Sequence, residues 1–64
     1  MAEYEKKVRA KLKEYGFEFL RHGKGDHDIW SNKEKGINVT VDGRIKSRFT
    51  ANAIMKEAGI PYRF

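Results

Sequence analysis

The sequence predicts a two-layer α+β domain in which two helices cover one face of a three-stranded antiparallel sheet. Three observations carry this. Apolar residues recur at helical spacing near the start, at Tyr4, Val8, Leu12 and Tyr15, and again near the end, at Ile54, Met55 and Ala58. Between them, the stretch from Phe17 to Val41 is cut by glycine and polar clusters into short segments of extended character. The links between those segments are too short for parallel crossovers, so the strands form a meander, and two helices on one of its faces bury both apolar stripes while the other face stays open.

The first helix is predicted from Glu3 to Tyr15. Glu3 and Glu5 lie where the helix dipole favours negative charge, and Lys11 and Lys13 lie near its far end. Gly16 supplies the left-handed residue after the helix, and Phe17 packs back on Leu12 in the manner of a Schellman cap. Between Lys6 and Lys13 stand five basic residues and no acid, read either as a solvated face or as a surface that tracks phosphates.

A strand follows from Phe17 to about His22, with Phe17, Phe19 and Arg21 on one face and Glu18, Leu20 and His22 on the other. The adjacent apolar pair Phe19-Leu20 blurs that alternation. His22 has no partner that the sequence identifies. The second strand runs from His27 to Ser31 or Asn32, and Asn32-Lys33-Glu34-Lys35-Gly36 reads as a hairpin connection. By parity Trp30 shares a face with Asp28 and Asn32, while Ile29 shares the face of His27. One of Ile29 and Trp30 is therefore core and the other faces outward, where a tryptophan would stack on a base or anchor a partner. The third strand, Ile37 to Val41, points Ile37, Val39 and Val41 inward and Asn38, Thr40 and Asp42 outward, and Asp42-Gly43 ends it.

The segment Arg44-Ile45-Lys46-Ser47-Arg48-Phe49 alternates basic and mostly apolar residues, so an extended backbone aims three cations to one side. No acidic residue occurs from Gly43 to Lys56. The last helix is predicted from about Ala51 to Ala58 with Thr50 as its N-cap, Gly59-Ile60 repeats the cap of the first helix, and Pro61 stops continuation. The order helix, three strands, helix is that of the double-stranded-RNA-binding domain, a fold that carries either a binding module or a catalytic site.

Composition narrows the function. With 64 residues the chain reads as a single domain, 1–64, and a chain this short buries only roughly 60% of its unfolded surface, so its core is thin. There is no cysteine, hence neither a disulfide framework nor a thiolate metal site, which agrees with a reducing cytoplasm. The start lacks the apolar run of a signal peptide, and no segment approaches the ~18 apolar residues of a membrane span, so no membrane partner is expected. The formal net charge of +5 favours a polyanionic partner: nucleic acid, an acidic protein or both.

The stretch Gly23-Lys24-Gly25-Asp26-His27-Asp28-Ile29-Trp30 holds the candidate chemistry. Two glycines, a lysine and two aspartates around a histidine add little to the stability of a small domain. A lone histidine can cleave RNA without a metal, because the substrate brings its own nucleophile, the 2′-hydroxyl beside the scissile phosphate. An imidazole takes that proton near neutral pH, and cations must meet the charge that builds on the phosphate. His27 is the candidate base, and Lys24, Arg44, Lys46 and Arg48 are the candidate phosphate contacts. Gly23 and Gly25 let backbone amides approach a phosphate, although in a hairpin loop such glycines also serve turn geometry alone. A metal nuclease built from His22, Asp26, His27 and Asp28 is disfavoured, since neighbouring strand residues point to opposite faces. The Gly-Lys-Gly loop lacks the spacing of a phosphate-binding P-loop. An RNA-binding module without chemistry, or a protein-interaction domain with a positive face, would use the same basic surface.

Three pieces taken together, Leu12-Lys13-Glu14-Tyr15-Gly16-Phe17, Gly25-Asp26-His27 opening a strand, and Ile54-Met55-Lys56-Glu57-Ala58-Gly59-Ile60, resemble the HicA toxins of bacterial and archaeal toxin–antitoxin systems in the right order over nearly the whole chain. The resemblance implies an mRNA interferase of this same fold with no cofactor, whose partners are mRNA and a HicB-type antitoxin, with no DNA contact by the toxin itself. It implies His27 as the catalytic residue and Gly25 as the residue shaping its loop. One position departs from the pattern: Asp26 stands where serine is usual, and an acid beside the histidine acts either on the basicity of the imidazole or against phosphate binding.

Overall fold

The computed structural model describes residues 4–64, beginning with helix α1, Glu5–Glu14. Strands β1 (Glu18–His22), β2 (Asp28–Asn32) and β3 (Ile37–Val41) follow, and helix α2 (Arg48–Ala58) closes the order. The sheet is an antiparallel meander, β1-β2-β3. Both helices supply the core and the far face of the sheet is open, as the two apolar stripes require.

Val8 and Leu12 of α1 are fully buried, with Tyr4 and Tyr15 packed at the margin of the same stripe. The expected first turn includes Glu3, which lies outside the described residues; Glu5 lies within them and its Oε1 accepts a hydrogen bond from the Ile45 amide at 3.3 Å. The Tyr4 amide donates in turn to the Ile45 carbonyl at 3.2 Å, so the start of α1 is tied to the segment before α2. At the other end Gly16 takes φ +88°, and the Phe17 amide reaches back to the Leu12 carbonyl at 2.8 Å, the predicted Schellman geometry. Gly59 and Ile60 repeat it on α2, with the Ile60 amide 2.9 Å from the Met55 carbonyl.

Strand β1 departs from simple alternation. Phe19 pairs with Trp30 but Arg21 pairs with Ile29, so Leu20 is an extra residue and the strand carries a β-bulge. Phe19 and Arg21 therefore do not share a face. Neither Phe19 nor Leu20 can be buried along this edge strand, and both stay half exposed.

Trp30 is core, 4% exposed, beneath the helices with Val39, Val41, Ile45 and Met55. Ile29 takes the open face. Asn32, the later of the two expected strand ends, closes β2 as a buried polar residue: its Nδ2 donates to the Tyr15 carbonyl at 3.0 Å and its Oδ1 accepts from the Lys35 amide at 3.0 Å. One side chain thus joins the end of α1 to the β2–β3 turn.

Helix α2 begins earlier than the sequence suggests. Its N-cap is Ser47, whose Oγ accepts from the Phe49 amide at 3.0 Å, and not Thr50, so Arg48 and Phe49 are helical. The extended alternation holds only for Arg44, Ile45 and Lys46, with Ile45 fully buried between two exposed cations. The Ala51, Ile54, Met55, Ala58 stripe anchors the helix in the core, and Ser47, extended and with its side chain on the Phe49 amide, caps it three residues before Thr50.

Candidate active site

The sheet register brings His27 to a partner that lies far from it in sequence. Asp28 pairs with Val41 in the β2–β3 ladder, so the residues just beyond, His27 and Asp42, face each other on the opposite, open side of the sheet. His27 Nε2 stands 3.3 Å from Asp42 Oδ1, and the two side chains are 46% and 43% exposed. This is a histidine–carboxylate contact on a solvent-exposed face.

The loop that presents His27 is tightly folded. The Gly23 amide donates to the His27 carbonyl at 2.7 Å, the His27 amide to the Lys24 carbonyl at 3.3 Å, and Gly25 turns the chain with φ +68°. Gly43 closes the other side. A Cβ on Gly43 would lie 2.7 Å from the Asp26 carbonyl oxygen, so only glycine lets the segment after β3 pack against the backbone before His27. The Asp42-Gly43 pair, readable from sequence only as the end of a strand, thus supplies both the histidine's partner and its wall.

A second histidine–carboxylate pair lies on the helix side of the sheet. His22 Nδ1 is 2.9 Å from Asp28 Oδ1, and Arg9 Nη2 approaches Asp28 Oδ2 at 3.7 Å. His22 therefore has a partner, although it remains 82% exposed. Since His22 and Asp28 share one face and His27 takes the other, these side chains do not converge, and among the described residues no three His, Cys, Asp or Glu form a metal-holding group.

The expected cations divide. Lys24 is exposed in the His27 turn, and Arg44 and Lys46 are exposed on the extended segment that leaves Asp42-Gly43. Arg48 does not continue that row, because it opens helix α2. Of the basic residues of α1, Arg9 is engaged by Asp28, and Lys11 sits over the Tyr62 ring and 3.3 Å from Glu14, while Lys6, Lys7 and Lys13 are exposed. Asn52, Lys56, Ile60, Tyr62 and Arg63 line the shallow pocket beside α2, and none of them belongs to the His27 site.

A family model described as the HicA toxin of bacterial toxin–antitoxin systems matches residues 6–60 of the 64. The chain belongs to the HicA toxin family. The match runs from the first turn of α1 to the residue that caps α2, and so includes the His27 loop, Asp42 and all the expected cations. No curated protein and no solved structure matches. Membership in the HicA family places the chain in a toxin–antitoxin system and implies an antitoxin as its partner. Among the described residues no helix is long and apolar enough to cross a membrane.

Proposed function

We propose that this HicA toxin is a metal-independent endoribonuclease that cleaves mRNA with His27 as its one catalytic histidine, and that a HicB-type antitoxin holds it in check. The observation that carries the reading is the His27–Asp42 contact on the open face of the sheet. A carboxylate accepts hydrogen bonds only, so Asp42 favours the tautomer with its proton on Nε2 and the lone pair on Nδ1. Nδ1 is then the base.

In the step proposed, Nδ1 takes the proton of the 2′-hydroxyl, the 2′-oxygen bonds to the adjacent phosphorus, and the bond from phosphorus to the 5′-oxygen breaks. Water admitted to the half-exposed site gives the leaving oxygen its proton. The products are a 2′,3′-cyclic phosphate and a 5′-hydroxyl end. Asp42 stabilises the imidazolium that forms, as a carboxylate does behind any histidine base. Lys24 and Arg44 flank the pair in sequence and meet the charge on the phosphate, with Lys46 further along the segment and Arg48 at the start of α2 as outer phosphate contacts. Gly25 keeps the loop in the turn that presents the histidine.

The reading gains support from the position of the pair, since an open, cation-rimmed surface suits a polymer better than a closed cavity would. It is tested by expressing the wild type and His27→Ala in cells without the antitoxin. Growth arrest by the wild type alone, relieved by co-expressed HicB-type protein, is expected. Arrest by both would point instead to an RNA-binding module whose toxicity needs no chemistry.

A further inference from the structure

Phe49 is 77% exposed, more than Phe19, Leu20 or Tyr62. It lies in the first turn of α2, while that helix buries Ala51, Ile54, Met55 and Ala58. Its ring thus forgoes the burial that an aromatic side chain otherwise gains from water. Its neighbours are cations: Lys46 and Arg48 are exposed, and the Arg48 guanidinium carbon lies 5.8 Å from the centre of the Phe49 ring. No acid occurs from Gly43 to Lys56.

These surroundings distinguish two occupants. An aromatic anchor for a protein partner sits amid other apolar side chains that exclude water around it. Phe49 has Ser47, Arg48 and Thr50 beside it in the chain, and the other exposed large apolar residues belong to β1 and the C-terminal segment. A lone ring among cations is the arrangement that holds single-stranded nucleic acid, where a base stacks on the ring and the cations take the flanking phosphates. The position suits the site as well. Asp42 and Phe49 are seven positions apart in the chain, so their Cα atoms are at most about 25 Å apart, within the span of a few nucleotides.

We propose that Phe49 is a stacking platform for one nucleobase of a single-stranded RNA, a positioning residue that aligns the strand with His27 while Lys46 and Arg48 hold the phosphates on either side. The proposal rests on the RNA-cleaving reading above and adds to it a second point of attachment. A stacked base raises affinity for any sequence, because every base has a π-face.

The test uses two labelled strands of equal length that the protein cannot cut: an oligoadenylate with 2′-O-methyl sugars and an abasic sugar-phosphate oligomer of the same charge. Phe49→Ala folds readily, since alanine favours the helix and the ring it removes is exposed. It is expected to weaken binding of the oligoadenylate roughly 5- to 150-fold and to leave binding of the abasic strand unchanged, while Phe49→Trp keeps both. Equal affinity of wild type and Phe49→Ala for the oligoadenylate overturns the proposal, whether or not that variant loses the antitoxin. Equal losses on the two strands overturn it too. Because neither strand can be cut, the result is independent of the catalytic reading. A His27→Ala protein that still cleaves RNA removes that reading and leaves the platform standing, whereas a wild type that binds the oligoadenylate no better than the abasic strand overturns the platform and leaves the catalytic reading standing.

Discussion

His27 Nε2 and Asp42 Oδ1 stand 3.3 Å apart at the open end of the β2–β3 hairpin, one residue beyond the last ladder pair. In the proposed mechanism Asp42 sets the tautomer of the histidine base and meets the charge it acquires in the reaction. Asp42→Asn keeps the size of the side chain and presents an amide that can turn its donor to the ring. Cleavage by that variant is expected to fall roughly 10- to 100-fold through kcat, with KM little changed. Because Asp42 is nearly half exposed, denaturant unfolding should shift by no more than about 0.5 kcal/mol.

His22 forms the shorter of the two histidine contacts, 2.9 Å to Asp28, and is the natural rival for catalysis. It lies on the helix side of the sheet, across from His27, so His22→Ala is expected to cut RNA at the wild-type rate within about twofold. Loss of so exposed a pair should cost at most about 1 kcal/mol of stability. Loss of cleavage in that variant, with the fold intact by circular dichroism, would move the chemistry to the other face.

Gly25 and Gly43 should both resist alanine, for different reasons. Gly25 has φ +68° and open space where a Cβ would go, so Gly25→Ala carries only backbone strain, about 1–2 kcal/mol. Gly43→Ala drives a Cβ to 2.7 Å from the Asp26 carbonyl oxygen and must push apart the two segments that carry Asp42 and His27. Its cost, about 1–3 kcal/mol, should come with a larger loss of cleavage than the Gly25 variant shows. Urea titration and initial rates on the same preparations separate the two.

Asn32 is buried, and its side chain holds the Tyr15 carbonyl and the Lys35 amide together. Asn32→Ala leaves both backbone groups without that partner in a protected place, and a loss of about 1–3 kcal/mol is expected in chemical denaturation. RNA binding measured well below the unfolding transition should be unchanged.

The order of elements and both helix caps were legible because each rests on local chemistry: apolar spacing, and a glycine followed by an apolar residue at Gly16-Phe17 and Gly59-Ile60. The start of α2 was not, since Ser47 and Thr50 are both good caps and the alternation from Arg44 to Phe49 imitates a strand. The bulge at Leu20 was hidden for a similar reason, as two adjacent apolar residues on an edge strand do not say which is the extra one. The loop around His27 stood out in the sequence, yet Asp42 did not, because the pairing is created by the hairpin. The signal was present all the same: Asn32 opposite Ile37, counted outward along both strands, brings His27 opposite Asp42.

Lys46 and Arg48 belong to different elements but both are exposed and free of acidic neighbours in the chain. Alanine at either is expected to weaken RNA binding across sequences and to reduce the slope of log affinity against log salt by about 1 each. An unchanged slope removes that residue from the phosphate contacts.

In the proposed function His27 cuts RNA through the substrate's own 2′-hydroxyl. The most direct measurement is cleavage of an end-labelled single-stranded RNA by the purified wild type and by His27→Ala, with EDTA present throughout. Cleavage by the wild type alone, leaving a 2′,3′-cyclic phosphate and sparing a strand with a 2′-deoxy sugar at the cut site, is the predicted result. Equal cleavage by His27→Ala, or cutting that ignores the missing 2′-hydroxyl, would contradict it.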